Sequence, residues 1–310
     1  MPTDPLPSAL DREVSKAEAC GLIDLACPLF RELVNYGTNA LQSCNLEAAR
    51  GQEDEHVAAL VLYRHIIEMT DGIEILLAEG SVTPALPLLR SSFEALLQLE
   101  YILEDPGCYL ERSLSWMLRQ IYDRLAVYEV VDRTTQRGKQ FRQALLKERP
   151  QLSAQVATLK PAAATEIKKL RALLGKPRYQ AIDAEFQARN RPPKWYSLFA
   201  GPANVADLAD RLKHRADYDV LYRQFSRTTH GGDFMRYLVR VAPGKAGIKP
   251  LRSNDQYGTV AILAASFILK ATRLMLKKFR PGADIRSWYA REVRPRFMAL
   301  FPSRGASRRK

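Results

Sequence analysis

The sequence predicts an all-α protein, an up-and-down helical bundle carrying a basic, proline-interrupted helical insertion. Three observations lead there. Apolar residues recur at helical spacing along almost the whole of the 310 residues. Helix breakers fall between those stretches. No segment shows strand alternation flanked by hairpin turns. A composition of 46% hydrophobic and 26% charged residues is ordinary for a globular chain and excludes collagen-like, low-complexity and wholly disordered classes.

A first helix is expected over roughly Glu18 to Leu41. From about Glu55 to Ala78, Val57, Leu60, Val61, Ile66, Ile67, Ile73 and Leu77 form one long helical stripe, which Gly80 stops. Thr83 and Pro84 read as N-cap and first residue of the next helix. That helix runs to about Leu103 with Leu86, Leu89, Phe93 and Leu96 on one face, and Asp105-Pro106-Gly107 ends it. A third runs from Tyr109 to Val131. Short connections between long helices make antiparallel neighbours.

Residues 133–194 are basic, poor in large apolar groups and broken by Pro150, Pro161, Pro177, Pro192 and Pro193. Short helices in a peripheral insertion (about 133–203) are expected, not a second core. Helices resume near Asn204 to Arg211 and from Tyr218 to His230, where Gly231-Gly232 stops the run. Residues 243–254 read as a loop, followed by a helix from Tyr257 to Phe279. The organisation expected is one helical domain over 1–279, with its core at about 18–131 and 204–279. A C-terminal helix and basic tail over 280–310 follow, with 303–310 expected to be disordered.

The net charge is +13, unevenly spread: −13 over residues 1–111, +9 over 112–210 and +17 over 211–310. Such polarity can steer a polyanion toward the C-terminal half, can join two halves or two chains electrostatically, or can simply reflect solvated faces with some self-complementarity. Cys20, Cys27, Cys44 and Cys108 show no metal-binding spacing and read as buried or incidental thiols of a cytoplasmic protein. The start, Met1-Pro2-Thr3-Asp4-Pro5, has no basic or apolar signal region. The uncharged run Tyr257 to Leu269 falls short of the roughly 20 residues a membrane span needs, so a buried core helix is expected.

Two constellations could carry chemistry. Arg90 and Glu94, at i,i+4 spacing on an otherwise apolar flank, must pair or meet a ligand, because lone buried charges are costly. Tyr218, Tyr222, Ser226 and His230 form an i,i+4 row with Arg223 and Arg227 beside it. A histidine with an ordinary pKa of about 6.5 serves as acid or base, and arginine stabilises a developing phosphorane. That is the equipment for metal-free RNA cleavage by the ribose 2′-hydroxyl, with His230 and Arg223 as catalytic candidates. The alternative is a helix-terminal histidine held by the helix dipole. Trp195-Tyr196 beside Lys194 either stacks bases or anchors the insertion. Glu53-x2-His56 is half of a di-iron motif with no second half, and His65 with Glu68 adds little, so neither metal nor cofactor is expected.

The ordered set Gly80-x4-Ala85-Leu86-x-Leu88-Leu89-Arg90-Ser91-x-Phe93-Glu94, Lys194-Trp195-Tyr196, Val205-Ala206-x-Leu208-Ala209 and Tyr218-x3-Tyr222-x3-Ser226-x3-His230-Gly231 resembles an uncharacterised bacterial helical family, domain of unknown function 5677, over roughly residues 55–240. That resemblance implies no activity. More distantly, Arg223-x6-His230 with Gln224 after the arginine is similar to the Arg/His signature of the HEPN superfamily of helical RNases and nucleotide-binding modules. This second likeness implies a homodimer that brings two such helices together around RNA, in a toxin or defence setting. Two function classes stay open: a metal-independent RNase or RNA-binding protein, and a non-catalytic scaffold with a buried Arg90, Glu94, Ser226 and His230 network.

Overall fold

The computed structural model describes residues 10, 12–50, 54–131, 135–189, 192–224, 237–242, 244–249 and 251–301. Among these, helix dominates: α1 (Arg12–Arg50), α2 (Val57–Ala78), α3 (Val82–Glu104), α4 (Tyr109–Val131), α5 (Gln136–Glu148), α6 (Ser153–Leu174), α7 (Pro177–Gln187), α8 (Val205–Arg211) and α9 (Tyr257–Phe279). The all-α bundle expected from periodicity is the fold. The chain forms two compact units, Met1–Glu104 with Ala209–Lys310, and Asp105–Leu208.

In the first unit α1, α2, α3 and α9 pack together. The stripe of α2 buries Leu62, Tyr63, Ile66, Ile67, Ile73 and Leu77, and α3 buries Leu86, Leu89, Phe93 and Leu96. Each such side chain contributes about 1.5–3 kcal/mol on burial. The inner face of α9 is small, with Ala261, Ala264, Ala265 and Ala271 fully buried, so neighbouring helices approach closely. Gly37 of α1 marks one close approach, where a Cβ would lie 3.3 Å from Ile67 Cγ1 and 3.4 Å from the Tyr63 hydroxyl. That hydroxyl lies 2.8 Å from Thr272 Oγ1 in the core, and burial pushes the phenol pKa well up. By length and composition α9 could cross a membrane, but 56% of its most apolar window is buried within the protein.

The turn between α2 and α3 follows from Gly80. At φ +62° it takes the left-handed position that closes a helix: Gly80 N–H donates to Leu77 O and Ser81 N–H to Leu76 O, the paired bonds of a Schellman cap. α1 is longer than the sequence suggests, passing through Pro28 and reaching Arg50. Its extra C-terminal turns bury small groups, Cys44 and Ala48, which give little hydrophobic signal. Pro28 forfeits one helical bond, offset by the burial of Ala26, Cys27, Leu29 and Phe30 around it. Burial also lifts the Cys27 and Cys44 thiols to about 11, keeping them protonated.

The second unit has a core of its own, where the sequence suggested only peripheral helices. Leu114, Leu118, Ile121 and Leu125 of α4 pack with Ile167 and Leu170 of α6, with Tyr179, Ile182 and Phe186 of α7, and with Leu198. Tyr122 stacks on Phe186 at 4.9 Å, donates to Asp183 Oδ1 at 2.6 Å and accepts from Gln187 at 2.7 Å. The apolar spacing on α6 is hidden in the sequence by the cations Lys168, Lys169 and Arg171 on its outer side.

A second difference is a small antiparallel hairpin, β1 (Leu238–Ala242) and β2 (Lys245–Ile248), partly within the stretch expected to be loop. It turns at Gly244, whose φ is +74°. Its strands are too short and too exposed to impose a buried alternation. The expected tail over 303–310 lies outside the described residues.

Candidate functional site

The outward face of α9 is cationic. Ser266, Lys270, Arg273, Lys277 and the capping Arg280 follow one another at helical spacing and line a groove of about 880 Å³. The opposite wall comes from the C-terminal segment, with Pro281, Ile285, Arg286, Tyr289 and Phe297. Among the described residues, five cations and no carboxylate line this groove. Arg280 approaches Glu47 at 3.7 Å, but among the described residues no carboxylate lies within ion-pair distance of the exposed Arg273, Lys277 or Arg286. Along α9 the cations span about 15 Å at 1.5 Å per residue. The far wall is pinned to α1: the Trp288 indole stacks on Tyr36 with ring centres 3.7 Å apart and donates to Glu32 Oε1 at 2.6 Å.

At one end of the groove stands a part-buried polar cluster. After α8, Lys213 takes a left-handed φ of 61°, strained for a non-glycine residue, and His214 N–H closes the turn on Ala209 O at 2.7 Å. The turn delivers the imidazole, 9% exposed, edge-on to Phe93 at 6.0 Å. Its Nδ1 lies 2.8 Å from Asp217 Oδ2 and its Nε2 lies 2.9 Å from Glu100 Oε2. Lys270 Nζ donates to the same Glu100 oxygen at 2.7 Å and lies 2.6 Å from His214 Nε2.

These distances describe competition for one proton. With Nδ1–H donated to Asp217, a neutral Nε2 accepts from the Lys270 ammonium, whereas a protonated Nε2 donates to Glu100. The Glu100 bond chiefly raises the histidine pKa; burial opposes it, and Asp217 adds to the rise. For Glu100, burial acts upward but is outweighed by the bonds from His214 and Lys270, so its carboxyl stays below the usual range. Neighbouring charges are separately matched: Arg211 on Glu104 at 2.9 Å, and Arg215 on Asp210 at 2.8 Å and Asp219 at 3.0 Å.

Of the residues singled out from sequence, Arg90 and Glu94 meet each other: Nε donates to Oε1 at 2.9 Å, with side chains 18% and 35% exposed. Trp195 is 5% exposed, edge-to-face with Tyr196 at 5.7 Å, within the second unit rather than on a surface. His65 Nε2 bonds Ser91 Oγ at 2.8 Å. Tyr222 and Arg223 lie in a π-helical turn, Tyr218–Gln224, with side chains outside the described residues. Ser226, Arg227, His230 and Glu53 lie wholly outside them. Among the described residues no group of three or more His, Cys, Asp or Glu is placed to hold a metal ion. Sequence reasoning missed His214, Glu100 and Lys270. The available signals were a glutamate between the buried Leu99 and Tyr101, and a lysine ending the apolar run of α9.

Fold and site together define a predominantly helical protein in which a cationic groove adjoins a part-buried histidine, carboxylate and lysine cluster. The chain belongs to the family of unknown function DUF5677, whose model matches residues 56–245. The match covers Glu100 and His214, while α9 with Lys270 lies beyond it. No curated protein and no solved structure matched the chain.

Proposed function

We propose that this protein binds single-stranded RNA in the groove along α9. The observation that carries the reading is the lining itself, five cations without a carboxylate among the described residues, beside Tyr289 and Phe297. Phosphates are met by point charges and guanidinium forks. The half-buried aromatic rings offer faces on which unpaired bases stack, a sequence-tolerant contact. The groove lies in the most basic third of the chain, residues 211–310. Cleavage is the further step that the sequence assigns to His230 as general acid or base and Arg223 as phosphate clamp, on a HEPN-like pattern that needs no metal.

The test is binding of a labelled oligouridine with EDTA present, followed across salt. Contacts to three or four phosphates make log affinity fall with log salt at a slope of about −2 to −3. The double substitution Arg273→Glu, Lys277→Glu removes that slope. Binding that ignores both salt and charge reversal sinks the reading. Gel analysis of the same mixtures reads cleavage, with His230→Ala and Arg223→Ala alongside. A scaffold role is the second reading, favoured by the mutual satisfaction of Arg90 and Glu94 within the fold, and absence of salt-sensitive binding would leave it standing.

A further inference from the structure

We propose that the His214 end of the groove is a protonation-gated anion subsite, in which protonating His214 transfers Glu100 to the imidazolium and frees Lys270 Nζ for a phosphate oxygen. The inference rests on the polyanion reading above and gives that site a regulation.

Valence limits what this cluster can do. Lys270 Nζ, His214 Nε2 and Glu100 Oε2 lie within 2.6–2.9 Å of one another, and only one donor arrangement at a time satisfies all three. When the ring is neutral, Lys270 spends two of its three hydrogens inward, on Nε2 and on Glu100. When Nε2 gains a proton from solvent, it becomes a donor to Glu100, and the 2.6 Å contact with the ammonium becomes a like-charge contact. Something must move. The ring is held: Nδ1 is tied to Asp217, Phe93 closes one side, and the strained turn at Lys213 fixes the backbone. Glu100 sits on α3, packed within the bundle. Lys270 alone of the three lines the groove, with a side chain 38% exposed on a flexible four-carbon stem.

Among the described residues, the charged groups facing His214 are Glu100 from α3, Lys270 from α9 and Asp217 from its own turn. Arg211 and Arg215 nearby are held by Glu104, Asp210 and Asp219. The switch range is therefore that of a histidine whose pKa is raised by Glu100 and Asp217, so the subsite opens as pH falls through that raised value. The cation it adds stands next to Arg273 and in line with Lys277, extending the row by one phosphate.

The test measures affinity of the full chain for oligouridine and for inorganic polyphosphate between pH 6 and pH 9 at fixed ionic strength. Wild type should bind roughly tenfold tighter at pH 6, with a salt slope steeper by about 0.7, the increment for one more phosphate on a single strand. His214→Gln should flatten that pH dependence while leaving affinity at pH 9 within about twofold, and Lys270→Met, which also removes one groove cation, should flatten it at an affinity no higher than that of the wild type at pH 9. A circular dichroism melt checks that each is folded. Independently, the His214 imidazole resonance should titrate at higher pH in Lys270→Met, because the neighbouring ammonium opposes protonation. A pH dependence that survives in both variants, or a His214 titration indifferent to Lys270→Met, overturns the subsite. RNA binding that is pH-independent overturns the subsite and leaves the RNA reading intact. Gated binding of polyphosphate without RNA binding supports the subsite and overturns the RNA reading, and binding of neither overturns both.

Discussion

Glu100→Ala is the most informative single perturbation of the fold, because it removes the acceptor shared by two cationic donors. In the wild type His214 Nε2 and Lys270 Nζ both reach Glu100 Oε2, at 2.9 Å and 2.7 Å. Hydrogen bonds to charged groups are worth about 1.5–3 kcal/mol each, and orphaning a fully buried partner costs about 3–5 kcal/mol. Neither cation is trapped here. Lys270 can turn into the groove, and His214 loses the bond that chiefly raises its pKa and reverts to the neutral form. The loss should therefore be about 2 kcal/mol where His214 is charged and about 1 kcal/mol where it is neutral. The pH sense follows from linkage. His214 has a raised folded pKa, so its contribution is complete below the unfolded value of about 6.5 and fades as pH rises through the folded value. Glu100 has a lowered one, so its contribution is complete above about 4.3 and fades only as pH falls through the folded value. The gap between wild type and variant should be widest between about pH 4.5 and pH 6.5 and should narrow toward pH 9. Urea unfolding of both proteins at pH 5.5 and pH 9, followed by helical circular dichroism, measures it. An equal gap at both values would refute the assigned proton competition.

Two further outcomes test the frame around the site. Glu94→Ala should cost only about 0.5–1 kcal/mol in urea unfolding, since Arg90 and Glu94 are partly open to water; a loss above about 3 kcal/mol would mean that the pair is effectively sealed. Gly80→Ala should lower the thermal midpoint, at a cost of about 1–2 kcal/mol. Its positive φ opposes a side chain, and the added Cβ would stand 3.0 Å from Ser15 O; an unchanged midpoint would contradict the cap.

The parts of this molecule written in local sequence were legible there. Gly80 ends α2 and the Asp105-Pro106-Gly107 stop ends α3 because backbone conformation is decided within a few residues, and the α9 stripe is visible because its apolar face is continuous. The second unit's core was not, since Ile167 and Leu170 are separated by lysines and gain meaning only opposite α4. The site was least legible. His214 lies in a polar stretch beside Lys213, Arg215 and Asp217, and what distinguishes it, Glu100 and Lys270, lies 114 and 56 residues away. Arg90 and Glu94 could be paired on paper because helical spacing alone brings them together.

On the proposed RNA-binding reading, the stack of Trp288 on Tyr36 has a meaning for affinity. It fastens the groove's outer wall to the longest helix of the bundle, so Tyr289 and Phe297 are already arrayed when a ligand arrives. The conformational freedom of that wall is surrendered once, as the chain folds, rather than at each encounter. Loosening Trp288 would thus weaken binding through entropy at a distance, with every cation of α9 still in place.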